Sequence, residues 1–426
     1  MRYALRVCLL VILSVGLMVG CSSQNNPSGM VKPTPSNSQD PQGGEVTEPT
    51  PTEPSELTDP IKEQLKTLST AEKVGQLVLV GMEGTKPDSS ALELIETYQV
   101  GGFIFYKDNI KDSASALSLF NELKLANVNA DHSIPLFMSV DEEGGRVTRM
   151  PKEFTKVPTA AKIGEAGSTE LANGIGQAIG TQLSGFGLNM DFAPVLDVNS
   201  NPDNPVIGDR SYGDTAEIVS EMGIAAMKGL DSQGVVPVVK HFPGHGDTSV
   251  DSHLGLPVVN HGIDRLRNLE LRPFKDAIAE GVDVVMIAHL LMPKLDPDHP
   301  ASFSKIVIND LLREELGFEG VVISDDMTMG AIAEHYEIGE VAVQFIQAGG
   351  NIVLIGHDYE KERAVINALT EAVEQGTISE DMLDERVYAI LKLKQKYQLS
   401  DEPAKGPDVK EINAELSRLL KDYGLK

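Results

Sequence analysis

Apolar and polar positions alternate in blocks from Ile61 to about Leu399. Short runs rich in β-branched and aromatic residues stand at QLVLV (76–80), VGGFIFY (100–106), PLFMSVD (135–141) and LNMDFAPVLDV (188–198). Four more follow at VVPVVKHF (235–242), VDVVMIAHL (282–290), GVVISDD (320–326) and NIVLIG (351–356). Between them lie segments with apolar residues at helical spacing, such as SALELIETYQ, IVSEMGIAAMKGLDSQ and ERAVINALTEAVEQG. Several end in glycine just before the next run, as helix C-termini prefer. Strand–helix alternation implies parallel strands joined by crossover helices. About eight such units in one continuous body predict an α/β fold, a (β/α)8 TIM-type barrel, with a doubly wound sheet as the alternative. Neither a tandem repeat nor a second hydrophobic body interrupts the pattern, so residues 61–399 read as a single domain.

The ends break this pattern. After a Pro/Gly-containing break, the tail 400–426 places Val409, Ile412, Leu416, Leu419 and Leu420 on one helical face. That predicts a terminal helix packed on the barrel, with a partner-binding helix as the alternative. At the other end, Arg2 and Arg6 precede an apolar run from Val7 to Val19, followed by Gly20 and Cys21. A basic head, a short apolar stretch and a small residue at the cut describe an export signal over 1–20. The run is short for a membrane span, which needs about 20 apolar residues. The cysteine directly after the small residue resembles a bacterial lipoprotein signal, which would lipidate Cys21. Met18 stands where such signals usually carry Leu, Val or Ile, and plain secretion is the alternative. Residues 21–60 then form a Pro-, Ser-, Thr- and Glu-rich stretch with Lys32 as its only base. Its few apolar groups do not offset chain entropy, so a disordered tether is expected, with a stretched limit on the order of 100 Å.

Composition narrows the partners. The formal charge is −27, a field that repels phosphate backbones, so no nucleic-acid partner is expected. Of the two cysteines, Cys8 lies in the signal; the mature chain therefore has no disulfide to form and relies on its core. A lipid-anchored, exported protein of the bacterial cell envelope, held to the membrane through Cys21 and monomeric, is the expectation.

The densest chemistry is KHFPGHGDTSVDSH (240–253), with three histidines, two aspartates and a lysine directly after an apolar run. Polar groups of these types are costly to bury unpaired, which marks a site. A barrel carries its active site at the C-terminal ends of its strands. Those ends bring Asp141 with Arg146 and Arg149, Asp197 and Arg210, Lys240 and His241, His289, and the pair Asp325–Asp326. A single aspartate there is as readily a helix N-cap, but Lys240, His241 and His289 cannot serve as one. The glycines of GGFIFY read as relief of crowding. GIGQAIG (174–180) sits in a helical stretch with the wrong spacing for a dinucleotide turn.

The motifs VDEEGGRVTR (140–149), FAPVLDV (192–198), IGDRSYG (207–213), KHFPGHGDTSVDSH and GVVISDDMTMGAI (320–332) resemble glycoside hydrolase family 3, in its β-N-acetylglucosaminidase branch. They span the whole barrel in the expected order, and the histidine segment is the most specific of them. The resemblance implies Asp325 as nucleophile, His253 as general acid/base, and Asp251 as the partner orienting His253. It also implies sugar binding by Asp141, Arg149, Arg210, Lys240 and His241, with no metal or organic cofactor. Some longer members carry a second α/β domain; none is expected here.

Retention at a glycosidic bond needs a nucleophile on one face of the sugar and a proton donor at the leaving oxygen. The residues alone do not choose between Asp325 and Asp326, which point to opposite sides of a strand; the resemblance chooses Asp325. Glu142 and Glu143 are candidates for the second acid by type. His253 supplies a proton at neutral pH, and Asp251, two residues away, would fix its tautomer. Gly244 and Gly246 suggest a deformable connection over Pro243–Thr248 that lets His253 swing in over bound substrate. A histidine donor repels an incoming anion less than a carboxylate does, so phosphate could compete with water and give a glycosyl phosphate. The resulting expectation is a retaining exo-β-N-acetylglucosaminidase acting on GlcNAc-containing muropeptides. The same His/Asp group could instead hold a metal in a barrel hydrolase. A non-catalytic solute-binding lipoprotein is the alternative from another class, although such proteins are usually two-lobed.

Overall fold

The computed structural model describes residues 59–425 apart from 131, 133, 250, 251, 253 and 254. Cys21, the signal and most of the tether therefore lie outside the described residues, as do Asp251 and His253.

All eight apolar runs form strands: β1 Val78–Val80, β2 Gly102–Phe105, β3 Phe137–Val140, β4 Met190–Asp191, β5 Val236–Phe242, β6 Val284–Ile287, β7 Val321–Ser324 and β8 Val353–Ile355. Every pairing is parallel, and the sheet runs in sequence order with β1 beside β8. A bridge between Ile323 and Ile352 joins β7 to β8, reinforced by the Ser324 amide donating to Ile352 O at 3.0 Å. The barrel expectation is borne out. Every strand residue is buried, which is why these runs read as continuous apolar stretches instead of alternating ones.

The helices begin where the sequence supplies caps. Ser69 and Glu72 form a reciprocal capping box on Thr70–Gln76. Asp88, Asp112, Ser168 and Thr215 each accept a backbone N–H at the start of the next helix, worth roughly 1 kcal/mol apiece. GIGQAIG lies inside the helix Thr169–Phe186, so no dinucleotide turn exists there. Gly102 of GGFIFY does relieve crowding: a Cβ at that position would stand 2.2 Å from Phe137 O. The helix Val409–Asp422 buries Ile412, Leu416 and Leu420 and rests on Thr169–Phe186, where Leu419 meets the bare backbone of Gly174.

At the N-terminal ends of the strands one lysine ties three of them together. The buried Lys394 Nζ donates to Gln76 Oε1 at 2.8 Å, Gly101 O at 2.9 Å and Pro135 O at 2.7 Å, groups that precede β1, β2 and β3. Lys394→Met strips the donor from Gln76 Oε1 and Pro135 O, while Gly101 O keeps the Phe137 amide at 2.9 Å, and is expected to cost about 2 kcal/mol in denaturant unfolding. Turnover per folded molecule should not change, because the charged mouth lies at the other end of the barrel.

Candidate active site

A cavity of about 370 Å³ opens at the C-terminal ends of the strands. A larger groove of about 760 Å³ lies at the opposite end, beside Val321 and Asp283. There Asp283 is already paired with Lys396 at 2.6 Å, and a barrel of this kind does its chemistry at the C-terminal face.

The loop after β3 supplies one wall. Buried Glu142 organises it: its Oε2 accepts from Thr148 Oγ1 at 3.0 Å and from the Arg149 and Met150 amides at 2.6 and 3.2 Å. This holds Arg149 with its guanidinium 3.2 Å from Asp141 Oδ2. Burial raises the Glu142 carboxyl to about 7, but three donors on one oxygen leave it a structural clamp, not the missing proton donor. Glu143 faces the cavity instead. Arg210 grips it with two parallel bonds, Nε–Oε2 at 2.8 Å and Nη2–Oε1 at 2.7 Å. Although burial opposes ionisation, Arg210 and Lys240 hold Glu143 well below the usual carboxylate range. It is committed as an anion and cannot donate a proton.

The end of β5 brings up the other wall. Its register against β6 shifts between Val239 and Phe242, and the side chains of both Lys240 and His241 reach the cavity; such irregularities re-aim side chains beside active sites. Lys240 is 1 % exposed and bridges Asp141 Oδ1 and Glu143 Oε1, both at 2.7 Å. Its two anions outweigh the burial that would lower its pKa and shift it upward. His241 Nδ1 meets Asp197 Oδ2 at 2.6 Å, which places the proton on Nδ1 and turns Nε2 toward Arg210 at 3.5 Å. The five sugar-binding candidates Asp141, Arg149, Arg210, Lys240 and His241 are thus gathered around one space.

The connection after β5 differs from its sequence reading. Gly246 is required by close approach, since a Cβ there would stand 1.7 Å from Val198 O. His245 is pinned by Asp197 Oδ1 on its amide at 2.7 Å, Thr248 Oγ1 on Nδ1 at 2.9 Å and Ser252 Oγ on Nε2 at 3.2 Å. Asn204 adds a bond to His245 O at 2.9 Å. Pro243–Thr248 is therefore a fixed turn and not a hinge. Burial, with His241 beside it, pushes the His245 imidazole down to about 4 from 6.5. Between those values the unfolded chain binds a proton that the folded chain refuses. Stability is therefore full above pH 6.5 and is lost by up to roughly 3 kcal/mol as pH falls to 4. His245→Gln should flatten that limb in urea midpoints measured from pH 4 to 7.

The end of β7 separates the two aspartates. Asp326 is consumed by structure: Oδ1 accepts from the Thr328 amide, the Thr328 hydroxyl and the Gly356 amide at 2.9, 2.8 and 3.0 Å, and Oδ2 from Tyr106 at 3.1 Å. Among the described residues the Asp325 carboxylate accepts only the Asp326 amide, at 2.8 Å, and otherwise faces the cavity. Burial works against its ionisation, yet His241, His289, the Asp326 amide and Lys240 together hold it below the usual range. His289 lies fully buried behind it, with Nε2 3.0 Å from Asp326 O. Arg146 is not in the cavity; it pairs with Asp209 at 3.1 Å.

The structure adds residues that the sequence did not single out. Tyr106 stacks on His357 with centroids 4.3 Å apart, and both line the cavity. Asn204, outside every quoted motif, holds the His245 carbonyl, and Glu143, a candidate acid by type, instead positions Lys240 and Arg210.

The comparisons agree with the geometry. A family model described as the glycosyl hydrolase family 3 N terminal domain matches residues 69–393. The β-hexosaminidase A of Pseudoalteromonas piscicida is 36% identical over 71% of this chain, which spans 54% of that protein's length. The β-hexosaminidase LpqI of Mycobacterium tuberculosis is 34% identical over 77% of this chain and 83% of its own. The solved family 3 β-N-acetylglucosaminidase from Paenibacillus sp. str. FPU-7 superposes with a TM-score of 0.79 at 44% identity, over 84% of this chain and 69% of its own. An eight-stranded parallel barrel, an open carboxylate after β7 and a match over most of its length converge: the chain belongs to glycosyl hydrolase family 3.

Proposed function

We propose that this chain is a retaining exo-β-N-acetylglucosaminidase, a β-N-acetylhexosaminidase that releases GlcNAc from the non-reducing end of peptidoglycan fragments. The observation that carries the reading is Asp325: a carboxylate held toward its ionised form, facing the cavity with one hydrogen bond among the described residues, beside an Asp326 whose oxygens are fully engaged. Asp141, Arg149, Lys240, Arg210 and His241 offer donors and acceptors to sugar hydroxyls. With Glu143 and Asp325, three carboxylates and three cations meet there, which suits an uncharged pyranose. The cavity stands at the small end of the ligand-pocket range, ~300–1,000 Å³, in keeping with one sugar held at a chain end.

In the first step Asp325 attacks the anomeric carbon while His253 gives a proton to the leaving oxygen, and a glycosyl ester forms on Asp325. In the second, His253 takes a proton from water, water attacks the same carbon, and Asp325 leaves, so configuration is retained. Asp251 orients His253. Support for this pair comes from residue type, family resemblance and Ser252 between them, which is buried and lines the cavity. The wall substrate is supported by the export signal, Cys21 and the tether, which would hold the enzyme in the bacterial envelope by a lipid anchor.

Chromogenic β-GlcNAc and β-glucoside substrates, together with GlcNAc–MurNAc fragments, test the assignment. Preference for the β-GlcNAc and release of free GlcNAc from the fragments are expected; preference for the glucoside would move the chain to another activity of its family.

A further inference from the structure

Three side chains with metal-ligating atoms converge outside the cavity, where the histidine segment leaves β5. Asp247 lies near the end of the fixed turn, His261 precedes the helix Ile263–Asn268, and Glu270 lies between that helix and Arg272–Ala279. One ligand atom from each lies within 4.8 Å of the others, and His261 Nε2 touches Asp247 Oδ2. None of the three lines the cavity.

Glu270 is the observation that asks for a ligand. It is 1 % exposed. Its Oε1 accepts from Arg265 at 2.9 Å, but its Oε2 has no hydrogen-bond partner among the described residues. A buried carboxylate oxygen without a donor is costly, and native structures seldom leave one. Glu270 is also held in place: a Cβ on Gly244 would stand 2.7 Å from its own Cβ.

We propose that Asp247, His261 and Glu270 form a binding site for a first-row divalent cation of the zinc class. One imidazole nitrogen and two carboxylate oxygens are an accepted donor set for such an ion, with water completing the shell. The cation satisfies Glu270 Oε2 and neutralises two clustered carboxylates. Ligand atoms around zinc stand roughly 3.4 Å apart, given bonds of about 2.1 Å, so the touching His261 Nε2 and Asp247 Oδ2 part to admit the ion. Arg265 occupies the margin of the site, 2.9 Å from Glu270 and 4.0 Å from Asp247. Its side chain is 41% exposed, and it swings to solvent when the metal enters. Bound metal would tie the root of the histidine segment to the two following helices.

The test uses the full chain, stripped with chelator and titrated with zinc by calorimetry, with melting followed in parallel. One zinc per chain is expected, with a rise of roughly 3–5 °C in Tm at free zinc about 100-fold above Kd. Asp247→Asn and His261→Gln should each weaken binding at least about tenfold, and Arg265→Ala, which removes the competing cation, should tighten it a few-fold. The Arg265 variant keeps all three ligands, so it reports even if a ligand variant folds poorly. Equal zinc affinity in wild type, His261→Gln and Arg265→Ala would overturn the proposal and leave the group a plain ion-pair network. Because the readouts are binding and melting, the result does not depend on which reaction the barrel performs.

Discussion

Asp325→Ala is expected to lower kcat/KM for a β-N-acetylglucosaminide by about 10⁴-fold or more, the scale seen when a nucleophile is removed from a working site. Its Tm should stay close to that of the parent. Among the described residues the Asp325 carboxylate holds one hydrogen bond, from its own neighbour's amide, so its loss unsettles little structure. Asp326→Ala is the control that sets the two apart. It strips acceptors from the Thr328 amide and hydroxyl, the Gly356 amide and the Tyr106 hydroxyl. The main consequence should be a fall in stability of several kcal/mol, since each abandoned buried donor costs about 1–3 kcal/mol. A small anion such as azide should restore glycosyl transfer in Asp325→Ala by entering the vacated face, giving a product of inverted configuration. Undiminished turnover in Asp325→Ala would remove it as nucleophile.

Lys240→Met should be the most damaging change among the proposed sugar-binding positions. The ammonium sits 2.7 Å from both Asp141 and Glu143 and is almost fully buried. Methionine fills much the same space but leaves two carboxylates facing each other with less compensation. Breaking one side of a buried ionic group costs about 3–5 kcal/mol, and KM should rise by at least about 100-fold as Asp141 loses its orientation. The combined variant Lys240→Met, Glu143→Gln separates the causes. Removing one anion with the cation should recover much of the stability, because the unpaired charge is what destabilises, while KM stays high. A double variant no more stable than the single one would show that packing of the lysine stem, and not charge, sets the cost.

Much of this was legible in the residues. Eight apolar runs became eight parallel strands because strands buried on both faces need continuous apolar sequence, and that pattern survives without tertiary information. Polar groups at the strand ends marked the mouth for the same reason: the barrel forces them to one face. Hydrogen-bond partners were not legible. Asp325 and Asp326 are chemically identical and adjacent, and only the loops after β2, β7 and β8 decide which is saturated. Arg146 and Arg149 sit three apart in one loop, yet Glu142 turns only Arg149 inward. Gly246 looked like a source of flexibility, but its lack of a side chain serves the approach of Val198 O. A glycine in sequence does not say whether it moves or merely fits. Glu143, a candidate proton donor by type, proved to be a bound anion, because a carboxylate's role follows from the cations around it.

The glycosyl ester on Asp325 is the claim on which the mechanism turns. A β-N-acetylhexosaminide can also be cleaved without an enzyme nucleophile, through the substrate's own acetamido group. Rapid acid quench of the wild-type enzyme during turnover of a slow substrate with a good leaving group, followed by peptide mapping in a mass spectrometer, separates these routes. The expected result is one N-acetylhexosaminyl adduct on the peptide containing Asp325, with fragmentation placing it on Asp325 and the adduct missing from Asp325→Ala. An adduct on Asp326, or steady turnover with no adduct at any quench time, would contradict it.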